Sequence, residues 1–208
     1  MLAKGGATTL ALSAAAAVLA LTLGGLLGLL RISNRIWLAT PARVLIDVVR
    51  GTPVLIQLYL IYFGLPSLGI FLSPFLAAVV ALGVNAAAYV SEIVRAAIQS
   101  VPKQQTESCR ALGLSRSRTF CRIIAPQALG IALPPLTNEL IDIVKWSSIA
   151  AIVVVPEMTQ VFYTIVSRTF QLIEVFVIVS AFYLIVTSII SALLGLLEVR
   201  LSRYRIAR

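Results

Sequence analysis

Histidine is absent from this sequence, and cysteine occurs only at Cys109 and Cys121. A chain so poor in both residues offers no typical metal site and no disulfide framework. Charged residues make up 12% of the chain, which is about half their share in a typical soluble domain. The shortage of charge excludes an ordinary soluble protein, and we predict an integral membrane protein without a metal.

Long apolar runs recur along the chain, each near the roughly 20 residues that a helix needs to cross a bilayer. The runs are continuous, whereas strands of a membrane β-barrel alternate between apolar and polar residues. We therefore predict an all-α bundle that forms one transmembrane domain over residues 1–208, and a retained first helix. The five predicted spans are residues 7–30, 53–68, 74–94, 131–155 and 172–197. A short re-entrant or interfacial helix is predicted at 156–171.

The charges of the chain are distributed unevenly. The net charge is +9, from 17 basic and 8 acidic residues. Most basic residues follow spans one, three and five: Arg31, Arg35, Arg43, Arg50, Arg95, Lys103, Arg110, Arg116, Arg118, Arg122, Arg200, Arg203, Arg205 and Arg208. The positive-inside rule then places the N-terminus outside and the C-terminus in the cytoplasm. The basic charge is a signal of topology and requires no nucleic-acid partner.

The longest predicted cytoplasmic loop covers residues 95–130 and has a regular pattern. Lys103, Glu107 and Arg110 have the spacing of one helix face. Gly113 is a typical helix end, and Ser115 can cap a second helix. A helix, a glycine turn and another helix indicate a docking element of defined shape.

The segment ESCRALGLSRSRTFCRIIAPQAL at 107–129 resembles the EAA loop of ABC importer permeases. In that pattern, E-A-A is followed by a glycine four residues after the second alanine, and then by I-x-x-P. Here Glu107, Ser108 and Cys109 precede Gly113, with Pro126 further on. The stretches RGTPVLIQLYLIYFGLP, NAAAYVSEIVRAAIQSVP and PEMTQ resemble the polar amino acid uptake subfamily. The resemblance covers nearly the whole chain and implies a type I importer permease fold with a cytoplasmic coupling helix between spans three and four.

This resemblance also implies partners. The coupling helix would insert into a groove on a separate ATPase, with Glu107 and Arg110 pairing at its rim and Cys109, Leu112 and Gly113 packing inside. The full set of implied coupling residues is Glu107, Ser108, Cys109, Arg110, Ala111, Leu112 and Gly113. Two ATPase subunits would bind ATP and magnesium, because this chain has no G-x-x-x-x-G-K-[ST] motif. A second permease, copy or paralogue, and an extracytoplasmic solute-binding protein would complete the complex in the bacterial cytoplasmic membrane.

Polar residues within the spans are candidates for the substrate path. Asn85 and Tyr89 share a face of span three with Glu92, which can also pair with Arg95. Asn85 can instead serve an interhelical hydrogen bond. Span four carries three further candidates, Asn138, Asp142 and Lys145. Asp142 and Lys145 form either the wall of the path or an internal ion pair.

Glu157 is the principal candidate for contact with substrate. It follows Pro156, where span four breaks, and its carboxylate can receive a ligand α-ammonium. The resemblance implies that the acid of the E-[LM]-T motif faces the substrate cavity, and Thr159 and Gln160 are weaker candidates beside it. An interfacial acid that faces solvent is the alternative. Trp146 departs from the Asp or Asn that such permeases often carry, which leaves the substrate open.

Two further patterns have structural interpretations. Thr52 can cap a helix that begins at Pro53. Gly24 and Gly28 allow close contact between helices.

The function implied is the transmembrane subunit of an ATP-driven importer, which moves a polar amino acid by alternating access and carries out no chemistry itself. The alternatives are an ABC permease for another small solute, and an autonomous channel or secondary transporter that uses Asp142 and Lys145 as a relay. Since acids within the spans are few, a neutral or acidic amino acid fits better than a dibasic one.

Overall fold

The structure is a computed structural model that describes residues 1–33 and 35–202, with side chains up to residue 198. All regular elements in these ranges are helical. The helices are α1 (Leu2–Arg31), α2 (Ile36–Arg50), α3 (Val54–Tyr59), α4 (Pro74–Gln99), α5 (Lys103–Ala111), α6 (Arg116–Thr119), α7 (Ala125–Trp146), α8 (Met158–Thr169) and α9 (Leu172–Ser202). Arg203, Arg205 and Arg208 of the predicted basic tail lie outside the described residues.

Several junctions between these helices have tighter or wider turns. The chain continues from α3 through a π-helical turn, Leu60–Gly64, and a 3₁₀ turn, Leu65–Leu68. A π-helical turn, Phe120–Ile124, joins α6 to α7. A 3₁₀ segment, Ser147–Val153, follows α7 directly. Such turns inside long helices often mark functional positions.

Four helical stretches in the described part of the chain are long and apolar enough to cross a membrane. They are Leu2–Arg31, Pro74–Gln99, Arg116–Val153 and Leu172–Glu198. A fifth crossing requires two helices together, Ile36–Arg50 and Val54–Leu68, which are bent by 103° relative to each other. The predicted spans one, three, four and five therefore have counterparts, whereas the predicted span 53–68 corresponds to the second half of a bent pair.

The helix α2 is the main element that the sequence prediction missed. Its basic residues make the segment resemble a cytoplasmic loop, and Pro41 lies inside it. The helix nevertheless has one apolar face, on which Ala42 and Ile46 are buried against α1 and α4. A period of four between these two residues is the signal of an amphipathic helix.

The centre of the bundle is the contact between α1 and α4, which is the most extensive between any two helices described. It is built from small residues, with Ala16 and Ala20 of α1 and Ala77 and Ala81 of α4 fully buried. A methyl group added to Gly24 would lie 2.6 Å from Cβ of Val90. The predicted role of this glycine pattern in close helix contact is confirmed, because the two backbones could not approach so closely over a larger side chain.

Charged side chains tie α1 to α4 at one end of this contact. Glu92 accepts hydrogen bonds from Nε and Nη2 of Arg95 at 3.0 and 2.9 Å, as predicted. It also forms an ion pair with Arg31 at the end of α1. All three side chains are partly shielded from solvent, so the cluster fixes how the two helix ends meet.

The bend between α2 and α3 is held by Gln57. Its amide donates to the Val49 carbonyl oxygen at 2.7 Å and to Oγ1 of Thr52 at 2.8 Å, and it accepts from Nδ2 of Asn85 at 3.2 Å. The predicted cap by Thr52 is wrong, because its hydroxyl donates back to the Val48 and Val49 carbonyl groups. Pro53 itself is the residue that precedes the helix.

We expect Gln57→Leu to loosen this bend. The leucine has a similar volume but leaves Asn85 without its partner and removes one of the hydrogen bonds to the Val49 carbonyl group. An unsatisfied buried polar group costs about 1–3 kcal/mol. The melting temperature of the purified protein in detergent should fall. Gln127→Leu is the control, because Gln127 is exposed and its side chain bonds only to Ile123 in the adjoining π-helical turn. Equal melting temperatures for the two variants would contradict this role of Gln57.

Candidate functional site

A cavity of about 730 Å³ lies among the α2–α3 bend, α4 and α7. The bend contributes residues 50–55, α4 contributes the face of Asn85 and Tyr89, and α7 contributes its last two turns up to Trp146. Ile149, in the following 3₁₀ segment, also lines the cavity. The volume is within the range of sites for small molecules, roughly 300–1,000 Å³.

Two carboxylates lie on the α7 wall of this cavity. Asp142 was predicted, and its Oδ1 accepts a hydrogen bond from Nζ of Lys145 at 3.1 Å, so the predicted pair is present. The prediction did not include Glu139, which is half-buried and also lines the cavity. Among the described side chains no basic group forms an ion pair with Glu139. Its position three residues before Asp142 places both acids on one helix face.

The opposite wall carries a cation and an aromatic ring. The guanidinium group of Arg50 lies 5.2 Å from the centre of the Tyr89 ring, within the range of a cation–π contact. Asn85 combines both predicted roles, since it bonds to Gln57 and also lines the cavity. Acidic, basic and aromatic groups thus face one space, an arrangement that can hold a small zwitterion.

A second feature is the loop between α4 and α7. At the end of α5, the amide of Gly113 donates to the Arg110 carbonyl at 2.9 Å, and the amide of Leu114 donates to the Cys109 carbonyl at 3.0 Å. This is a Schellman motif, and Gly113 has the positive φ of 74° that it requires. Ser115 then caps α6 by accepting from the Arg118 amide. The predicted helix, glycine turn and second helix are confirmed.

The side chains of α5 divide into two sets. Leu112 is 79% exposed at the end of α5, and Glu107, Ser108, Arg110 and Ala111 are exposed as well. Cys109 was predicted to pack in a partner's groove, but it is 6% exposed. The helix is amphipathic, and Cys109 lies on the side that packs against the rest of this chain. One face of α5 therefore packs within this chain, and the opposite face is exposed.

Comparison of this sequence with models of known protein families decides which family the chain belongs to. The model of the binding-protein-dependent transport system inner membrane component matches residues 8–203. This chain belongs to that family.

Individual relatives agree with this assignment. The chain is 38% identical over 201 residues to a probable amino-acid ABC transporter permease, YckA, of Bacillus subtilis, covering 97% of this chain and 89% of the relative. It is 38% identical over 204 residues to the glutamine transport system permease GlnP of Escherichia coli K12, covering 97% and 93%. A crystal structure of an amino acid ABC transporter with histidines matches with a TM-score of 0.89 and 37% identity, covering 96% and 93%.

In this family member, Glu157 does not lie on the wall of the cavity. Its side chain is fully buried, with Oε1 accepting from the Gln160 amide at 2.8 Å and Oε2 accepting from the Tyr183 hydroxyl at 2.9 Å. Thr159 bonds to the same tyrosine at 3.1 Å. Glu157 therefore does not line the described cavity, contrary to the expectation for a residue in contact with substrate. The exposed interfacial acid that was the alternative is wrong, because the side chain is buried. Nor do Thr159 and Gln160 line the cavity.

The remaining candidates lie at the edge of the site. Lys145 is exposed and reaches the site through its pair with Asp142. Asn138 is exposed on α7 but does not line the cavity. Trp146, whose role the sequence left open, contributes an aromatic wall beside Asp142.

Proposed function

We propose that this chain forms the substrate path of an ATP-driven importer for a polar amino acid. The observation that carries the proposal is the cavity that Arg50, Glu139, Asp142, Tyr89 and Asn85 line together. A zwitterion needs an anionic partner for its ammonium group and a cationic partner for its carboxylate, and charge-assisted hydrogen bonds are the strong ones. The names of the two relatives, which specify an amino acid in one case and glutamine in the other, support the same substrate class.

The complex that we propose contains two ATPase subunits, a second permease and a solute-binding protein. The exposed face of α5, which carries Glu107, Arg110 and Leu112, is the surface that would dock into an ATPase. ATP and magnesium would be bound by those subunits and the substrate delivered by the binding protein. The chain would lie in the bacterial cytoplasmic membrane with its N-terminus outside and its C-terminus in the cytoplasm, as the distribution of basic residues favours.

In the proposed mechanism, ATP binding brings the coupling helices together and the bundles rock around the cavity. The cavity residues then face one side of the membrane and the other in turn. The bend at Arg50–Pro53, which forms one wall, follows α2 and precedes α3, so a change in the angle of this pair would change access to the cavity.

Removing either carboxylate from the cavity should weaken transport. We expect Glu139→Gln and Asp142→Asn each to raise the half-saturating substrate concentration about tenfold, the effect of a charge-assisted hydrogen bond worth about 1.5 kcal/mol. The measurement is uptake into proteoliposomes that contain the assembled complex, with a panel of labelled amino acids. Glu174→Gln is the matched control, because Glu174 is an exposed acid in the first turn of α9, outside the cavity. Unchanged uptake by both cavity variants would contradict the proposed path.

A further inference from the structure

The buried carboxylate of Glu157 is unusual because it does not line the cavity of the proposed path and forms no ion pair with a described side chain. Burial of a carboxyl group is costly unless hydrogen bonds compensate it. Two donors do so here, the amide of Gln160 and the hydroxyl of Tyr183. Since Tyr183 donates its only proton to Glu157, Thr159 donates to the tyrosine oxygen in turn. The hydrogen bonds of the carboxylate are thus satisfied within the protein, without solvent.

Four parts of the chain lie at or next to Glu157 in sequence or by hydrogen bonding. Glu157 caps α8 and binds Tyr183 of α9. The next residue, Met158, donates its amide proton to Oγ1 of Thr9 in α1 at 3.0 Å, and Thr9 is fully buried. The fourth part is the 3₁₀ segment Ser147–Val153, which ends just before Glu157.

The chain between the cavity and Glu157 has little conformational freedom. The amide of Val155 donates to the Ala150 carbonyl at 3.2 Å, and the amide of Glu157 donates to the Val155 carbonyl at 2.7 Å. Val154 has a positive φ of 61°, which is uncommon for a β-branched residue. The 3₁₀ segment is seven residues long, whereas runs beyond about four residues are uncommon. Such a segment requires its ends to be fixed by the surrounding structure.

One end of this constrained segment forms a wall of the cavity. Trp146 directly precedes it and Ile149 lies within it, and both line the cavity. At the other end is Glu157. We propose that Glu157 and Tyr183 position the 3₁₀ segment, and through it Trp146 and Ile149, so that Glu157 determines substrate affinity without touching the substrate. The uptake test of this inference rests on the proposed function, whereas the fluorescence test does not.

The test uses the protein's own two tryptophans, Trp37 and Trp146. In a Trp37→Phe background of the assembled complex, a difference in fluorescence between two variants of this chain reports Trp146, because the partner subunits contribute the same background to both. Tyr183→Phe keeps the ring and removes the hydroxyl that Glu157 accepts from, so we expect altered acrylamide quenching and a shifted emission maximum for Trp146. Tyr163→Phe is the matched control, since Tyr163 is an exposed tyrosine of α8. Identical quenching of Trp146 in the Tyr183→Phe and parent proteins would overturn the proposal.

A second readout separates positioning from a general loss of structure. Tyr183→Phe and Glu157→Ala should raise the half-saturating substrate concentration by about two- to tenfold, the range that corresponds to one lost hydrogen bond, and more than they lower the maximal uptake rate. Glu157→Gln should recover most of the affinity, because its amide oxygen can still accept from Tyr183. Equal loss in Glu157→Gln and Glu157→Ala, or a fall in maximal rate alone, would overturn the proposal. Absence of uptake by the parent complex would instead refute the proposed function, and the fluorescence result would stand.

Discussion

Replacing Leu112 by aspartate is expected to abolish amino acid uptake while leaving the permease folded in the membrane. Leu112 is 79% exposed at the end of α5, so the change removes no packing within this chain. In the proposed complex its side chain would be buried in the ATPase, and loss of a central apolar contact at an interface costs about 2 kcal/mol or more. A carboxylate left in that groove adds a desolvation penalty. Association with the ATPase should therefore weaken by about thirtyfold or more.

The measurement is co-purification of the ATPase subunit with the tagged permease, followed by uptake in proteoliposomes. Ser117→Asp is the matched control, since it adds the same charge to an exposed position of the same loop, on α6. The Ser117→Asp protein should retain its ATPase. Full assembly and uptake by the Leu112→Asp protein would show that the free face of α5 is not the docking surface.

The second large effect is expected from a single methyl group in α1. In Gly24→Ala, the new Cβ would lie 2.7 Å from the Ala87 carbonyl oxygen and 2.6 Å from Cβ of Val90. One of these contacts is with the backbone of α4, so the helices must separate. Overpacking of a well-packed core costs about 1–3 kcal/mol, and the melting temperature of the purified protein should fall.

The neighbouring Gly25 provides an unusually close control. A Cβ at Gly25 meets no atom within 4 Å, so Gly25→Ala adds the same methyl group to the same helix without a clash. Alanine favours a helix over glycine by about 1 kcal/mol, and this variant should be as stable as the parent or slightly more so. A melting temperature for Gly24→Ala equal to that of Gly25→Ala would contradict the close contact between α1 and α4.

The sequence predicted best the features that depend on local chemistry. Gly113 and Ser115 specify a helix end and a helix start by their own backbone and side-chain properties, and the structure has both. The apolar spans were equally clear, because their length is set by the bilayer. The helix α2 was missed because the basic charge of 31–50 suggested a loop. The only signal for a helix was the amphipathic spacing of Ala42 and Ile46, which are buried in the structure.

The cavity depends on tertiary structure and was only half predicted. Asn85, Tyr89 and Asp142 were identified because polar residues within apolar spans are conspicuous. The spacing of Glu139, three residues before Asp142, is a local signal that both acids share a helix face, and the prediction did not use it. Glu157 was expected at the substrate cavity but does not line the cavity described. An acid at a helix break suggests a ligand site, whereas its actual partner, Tyr183, lies 26 residues away on α9. Sequence spacing alone could not reveal that hydrogen bond.

The central claim is that this family member works only as part of a complex with ATPase subunits. The most direct measurement is purification of the tagged chain from its native membranes in mild detergent, with native mass spectrometry of the material that accompanies it. We expect an ATPase together with this permease, and either a second copy or a paralogue of it. A chain that remains folded and purifies alone, with α5 and Gly113 intact, would contradict the account and favour an autonomous transporter.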